Sequence, residues 1–104
     1  GPDTDEVAET MFHIGEVYDQ MNRADEAFVA QSNTLVDEAL RMYTQSLAIK
    51  ETLHGDKHPS LCPVLTSNGA LLMLVGRSAE ALEPFERIAA IIEASLDTDD
   101  KQSR

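Results

Sequence analysis

The sequence predicts an all-α fold, on three observations. Apolar residues recur at spacings of three and four in four separate segments, the pattern of helices with one apolar face. No useful length shows the period-two alternation of a half-buried strand. The stretch "EALRMYTQSLAIKETLHGDKHP" (Glu38 to Pro59) has a near-echo in "EALEPFERIAAIIEASLDTDD" (Glu80 to Asp100), 42 residues later. A repeat of that size is a stacking unit rather than a reaction centre.

The elements follow in order. Val7, Met11, Ile14, Tyr18 and Met21 mark one face of a first amphipathic helix. Leu35, Ala39, Tyr43, Leu47 and Ile49 mark a second, which Gly55 ends after His54. "GDKHP" reads as a loop, with Pro59 suited to the first position of a third helix. That helix runs to about Val75, and Gly76 makes the turn. Ser78 is placed to cap a fourth helix through Leu96, followed by a polar, frayed tail over residues 97–104. Pro63 fits within a first turn, where a missing N–H costs nothing. Pro84 lies deeper, so a slight bend or a later helix start is expected there.

A chain of 104 residues has little apolar core to spare. Nineteen acids against eight bases give a net charge of −11, which repels phosphate backbones and anionic lipid. No nucleic acid or membrane is therefore expected as a partner, and a basic peptide or protein face is the natural one. Cys62 is the only cysteine, so no internal disulfide forms and a reducing, cytoplasmic location is expected. The longest apolar run, Ala70 to Val75, is too short to span a bilayer. The opening Gly-Pro reads as the scar of a cleaved tag, and residues 1–6 as a disordered lead-in to a domain over 7–96.

In the second half, Leu65, Asn68–Gly69, Leu72, Gly76, Ala81, Phe85 and Ile88 fall on the offsets of the tetratricopeptide signature. Met11, Ile14–Gly15 and Tyr18 fit its first helix in the first half. With the Gly-Asp-Lys-His-Pro loop, the chain resembles a pair of kinesin light chain-type tetratricopeptide repeats of 42 residues, over 7–55 and 59–96. The resemblance implies antiparallel helical hairpins, a fragment of an α–α superhelix. It also implies close helix crossings at Gly15, Ala39, Gly69 and Ala81, where small residues let backbones approach. Asn68 departs from the Leu usual at its position.

Ala39 and Ala81 are 42 residues apart but Gly15 and Gly69 are 54 apart, so the first hairpin carries an insertion of about 12 residues. Such an insertion is roughly 18 Å of helix. It either lengthens both helices, with a turn at Gln31–Thr34 and a Thr34–Asp37 capping pair, or fuses them. Fusion draws on Val7, Ile14, Met21, Phe28, Leu35, Met42 and Ile49, which recur every seven residues with no Gly or Pro between Glu16 and His54. The turn is the favoured reading.

His54, His58 and Cys62 are spaced four apart, but Gly55 and Pro59 break the helix that would align them as metal ligands. Cys62 and His58 have no readable third group or oxyanion donor, and Cys62 reads as a packing residue. The chain is therefore read as no enzyme, without cofactor or metal. In tetratricopeptide arrays the first helix of each repeat lines the concave groove. The resemblance carries ligand contacts onto Glu9, Phe12, Glu16 and Asp19 in the first repeat, and onto Pro63, Thr66, Ala70 and Met73 in the second. The expected function is a protein-interaction module, scaffold or adaptor, that holds a partner with basic and apolar character. The alternatives are a self-association segment of a larger repeat protein, giving a homodimer, and, behind it, a regulatory piece of an enzyme.

Overall fold

Antiparallel packing of successive helices organises the chain. The computed structural model describes the backbone of residues 4–24 and 33–102, and side chains over 4–23 and 34–96. Helix α1 spans Asp5–Ala24 and α2 spans Asn33–His54. A single 3-10 turn, Pro59–Leu61, leads into α3, Cys62–Leu74, and then α4, Ser78–Gln102. Among the described residues there is no strand.

In the first hairpin, residue numbers fall along α1 as they rise along α2. Tyr43 Oη donates to Asp19 Oδ2 at 3.0 Å, Ser46 Oγ donates to the Ala8 carbonyl at 2.7 Å, and His54 Nε2 lies 2.8 Å from Asp5 Oδ1. One fused helix could not bring these pairs together, so the hairpin is the arrangement formed. The turn is not where the capping pair placed it, because Asn33 and Thr34 are already helical. Gln31 and Ser32 lie outside the described residues.

Both glycine stops are used as stops. Gly55 has φ 86° and Gly76 has φ 82°, left-handed conformations open to a residue without Cβ. Their N–H groups donate back to Glu51 and Met73 carbonyls at 2.8 and 3.1 Å. Pro59 opens the 3-10 turn rather than α3 itself, and His58 caps that turn by accepting the Ser60 N–H at Nδ1. Pro63 sits in the first turn of α3, as expected. Pro84 does not delay α4, which starts at Ser78. Ser78 is the first helical residue, and the preceding Arg77 carbonyl accepts from the Ala81 N–H at 3.1 Å. The helix then continues to Gln102, beyond the expected end at Leu96.

The face that α1 buries is one residue away from the expected one. Ala8, Phe12, Gly15, Asp19 and Asn22 are buried, while Ile14 and Met21 are exposed. The reason is steric. A Cβ on Gly15 would lie 2.7 Å from Tyr43 Cε1, so α2 approaches α1 over the small Gly15 and not over the bulky Ile14 and Met21. Gly69 meets Phe85 in the same way, 2.8 Å from Cζ, which shows that Asn68 causes no slip in the α3 register. All four small residues expected at crossings, Gly15, Ala39, Gly69 and Ala81, are buried. The core continues from Tyr43 and Leu47 through Leu61, Leu65 and Leu71 to Ile91, joining the two hairpins.

Candidate functional site

Where α1 passes α3, a cleft of about 270 Å³ opens, lined by Glu16, Asp19, Gln20, Arg23, Tyr43 and Ser67. Its floor is a polar cluster. Asp19 is 7% exposed; its Oδ1 accepts from Arg23 Nε at 2.7 Å and its Oδ2 from the Tyr43 hydroxyl. Burial first, and then the Asp19 charge, push the Tyr43 phenol well above its ordinary range. Tyr43 therefore stays a donor, and both Asp19 oxygens are in use within the fold. A buried carboxylate so engaged is a structural group.

The eight expected contact residues divide by burial. Phe12 lies in the core with its ring centroid 5.8 Å from that of Tyr43, so it presents no anchor to a partner. Asp19 is likewise inside. The tetratricopeptide resemblance carries both onto the ligand surface, but they lie on the face of α1 that is buried. Glu16 stays at the cleft mouth, 3.0 Å from His13 Nδ1. Glu9 is half exposed and holds the buried Lys50 ammonium at 2.6 Å, which ties it to α2. Thr66, Ala70 and Met73 are exposed on one face of α3, with Pro63 beside them. Spacings of three and four keep them in line. The cleft mouth thus presents Glu16 and Gln20 of α1 with Ser67 of α3.

A larger cleft, about 350 Å³, was not anticipated. It lies among α2, α3 and α4, lined by Leu40, Thr44, Asn68, Leu72, Glu83 and Pro84, with Arg77 and Glu80 at its edge. Asn68 was the signal for it, since a shorter polar side chain stands there in place of a filling Leu. Arg77 donates to both oxygens of Glu80 at 2.6 Å, which holds the Glu80 carboxyl below its usual range.

His54, His58 and Cys62 serve the loop and the packing beside it. The His54 and His58 rings stack with centroids 4.5 Å apart, and His58 caps the 3-10 turn. Cys62 packs half-buried against the core. Among the described residues, no group of three or more His, Cys, Asp or Glu is placed to hold a metal ion. Nor is any helix there long and apolar enough to cross a membrane.

Residues 32–60 match the family model described as tetratricopeptide repeat. Searches of curated proteins and of solved structures give no match. The matched stretch is α2, its Gly55 stop and the start of the 3-10 turn, the same segment that closes the first hairpin over Gly15. Residues 32–60 are thus similar to a tetratricopeptide repeat, a helical unit that in general serves protein–protein interaction.

Proposed function

We propose that the chain holds a protein or peptide partner along the α1/α3 face and performs no chemistry of its own. The observation that carries this is the repeat over residues 32–60, set in a chain whose α3 turns Thr66, Ala70 and Met73 to solvent. Glu16 gives that face a negative charge, and the chain's net −11 extends it. The partner segment bears Lys or Arg beside an apolar side chain, and Met73, 53% exposed, replaces Phe12 as the apolar contact. The 42-residue spacing supports the kinesin light chain-type form of the repeat, and the lone cysteine supports a cytoplasmic location.

Exposed ion pairs are worth about 0–1 kcal/mol each, so the apolar contact supplies most of the affinity and the acids much of the association rate. A pull-down of partners by the parent chain and by Glu16→Lys with Met73→Glu is the test. Both positions are partly or fully exposed, so the double variant keeps its helical circular dichroism. Loss of the partner is expected, together with weaker parent binding as salt rises. Unchanged capture by the folded double variant would move binding off this face.

A second reading, self-association, has one observation in its favour. On the side of α1 away from its buried strip, Ile14, Val17 and Met21 are 41–54% exposed. Val7 and Met11 continue this strip, and its flanking Thr10 is uncharged. A second copy of the chain would cover it, with Glu6 at its edge.

A further inference from the structure

The outer face of α4 carries a second apolar strip, of which Phe85 alone, its ring against Gly69, also serves the hairpin. The inner strip, Ala81, Pro84, Ile88 and Ile91, packs toward α3 and the core. One residue further round, Leu82 is 58% exposed, Phe85 39%, Ile92 50% and Leu96 62%, with Ala89 exposed between them. These five are spaced three, four, three and four. That is the two-per-heptad seam of a helix that receives another helix, narrower than the face a helix turns to a globular core. The seam covers about 21 Å, some four turns.

Two further observations say what kind of helix fits. α4 has 25 residues and α3 only 13, so the end of α4 that carries Ile92 and Leu96 runs on past its hairpin partner. The charges beside the seam have one sign. In heptad terms, with Leu82, Ala89 and Leu96 at one seam position and Phe85 and Ile92 at the other, Glu86 and Glu93 occupy the solvent-side flank. Glu83 stands one position behind Leu82. All three acids are exposed. The single described arginine of α4, Arg87, is turned away to Glu51 of α2. No base on α4 therefore balances the flank among the described residues.

We infer that the outer face of α4 docks an amphipathic helix from a separate partner protein, with Leu-type side chains at heptad spacing and Lys or Arg opposite Glu86 and Glu93. A second copy of α4 is the wrong occupant for the same reason. Antiparallel pairing of two such seams sets Glu86 against Glu93 of the other copy, and like charges at these positions select against the pair. This inference is independent of the α1/α3 face, because none of its residues lies on that face.

The test uses the whole chain and two synthetic helical peptides of 21 residues with identical Leu seams, one with Lys at the flanking positions and one with Glu. The Lys peptide is expected to bind with a dissociation constant that rises with salt, and the Glu peptide at least about tenfold more weakly, the sum of two flank interactions. Glu86→Lys with Glu93→Lys should exchange the two preferences, and Ile92→Glu should abolish binding of either. Glu16→Lys with Met73→Glu should leave peptide binding unchanged, which separates this site from the α1/α3 face. Circular dichroism confirms that the α4 variants, all at exposed positions, remain folded. Equal binding of both peptides, or binding of neither, overturns the inference. So does association of the chain with itself that Ile92→Glu removes and that salt strengthens, which would make a second copy the occupant.

Discussion

Gly15 and Gly69 hold equivalent places in the two hairpins, but the rings they face differ in freedom. A Cβ at Gly15 would press on Tyr43, a ring 1% exposed whose hydroxyl is tied to Asp19. A Cβ at Gly69 would press on Phe85, 39% exposed and able to swing outward. Alanine in a helix interior is favoured over glycine by about 1 kcal/mol. Gly69→Ala is therefore expected within about 0.5 kcal/mol of the parent, and Gly15→Ala to lose about 1–2 kcal/mol net through overpacking. Urea midpoints for the two variants check this, and equal midpoints would contradict it. Asn22 is fully buried, and neither side-chain polar atom has a hydrogen-bond partner among the described residues. An unpaired buried amide costs about 1–3 kcal/mol, so Asn22→Leu should raise the melting temperature. A lowered one would mean that the amide is satisfied.

At the scale of elements, the two hairpins close by different means. The open end of α1/α2 is joined by Asp5 and His54, and the hydrogen bond from His54 holds the Asp5 carboxyl below its usual range. A depressed carboxylate pKa stabilises the fold at pH above the ordinary carboxylate range, and that contribution is lost as pH falls through the depressed value. Asp5→Asn should therefore melt below the parent at neutral pH, with the two curves converging in acid, below the ordinary carboxylate range. A difference in melting temperature that persists at pH 2 would remove the pair as its cause. The α3/α4 hairpin closes instead through small residues, with Ala81 1% exposed at the crossing. Ala81→Leu should cost about 1–3 kcal/mol, read from thermal or urea unfolding. A neutral result would place the crossing elsewhere on α4.

For the whole molecule, the first and last helices each carry two apolar strips, one buried and one turned to solvent. Those outer strips favour association, and the net charge of −11 opposes association between copies. Salt relieves the repulsion without weakening apolar burial. Light scattering of the parent chain at high concentration is therefore expected to show a dimer whose share grows with salt, and Ile14→Glu with Met21→Glu should return it to monomer. A monomer at every salt and concentration would remove the self-association reading of α1. A basic partner responds in the opposite direction, so the sign of the salt effect reports which contact is being measured.

Much of this was legible along the chain. Helix existence followed from the three-and-four spacing, the stops at Gly55 and Gly76 from the residue type that tolerates positive φ, and the crossings at Gly15, Ala39, Gly69 and Ala81 from side-chain size. These are local properties, decided by neighbours in sequence or by a residue's own volume. Which strip of α1 turns inward was not local. Val7, Met11, Ile14, Tyr18 and Met21 form the more apolar strip, but Ala8 and Gly15 let α2 come closer. Tyr43 packs over Gly15, and Ile14 and Met21 are left exposed. That rotation took Phe12 and Asp19 into the interior and left Glu16 at the cleft mouth. The outer seam of α4 was hidden for a related reason. A strip at helical period marks an apolar face, and only the tertiary structure decides whether another helix of the same chain already covers it.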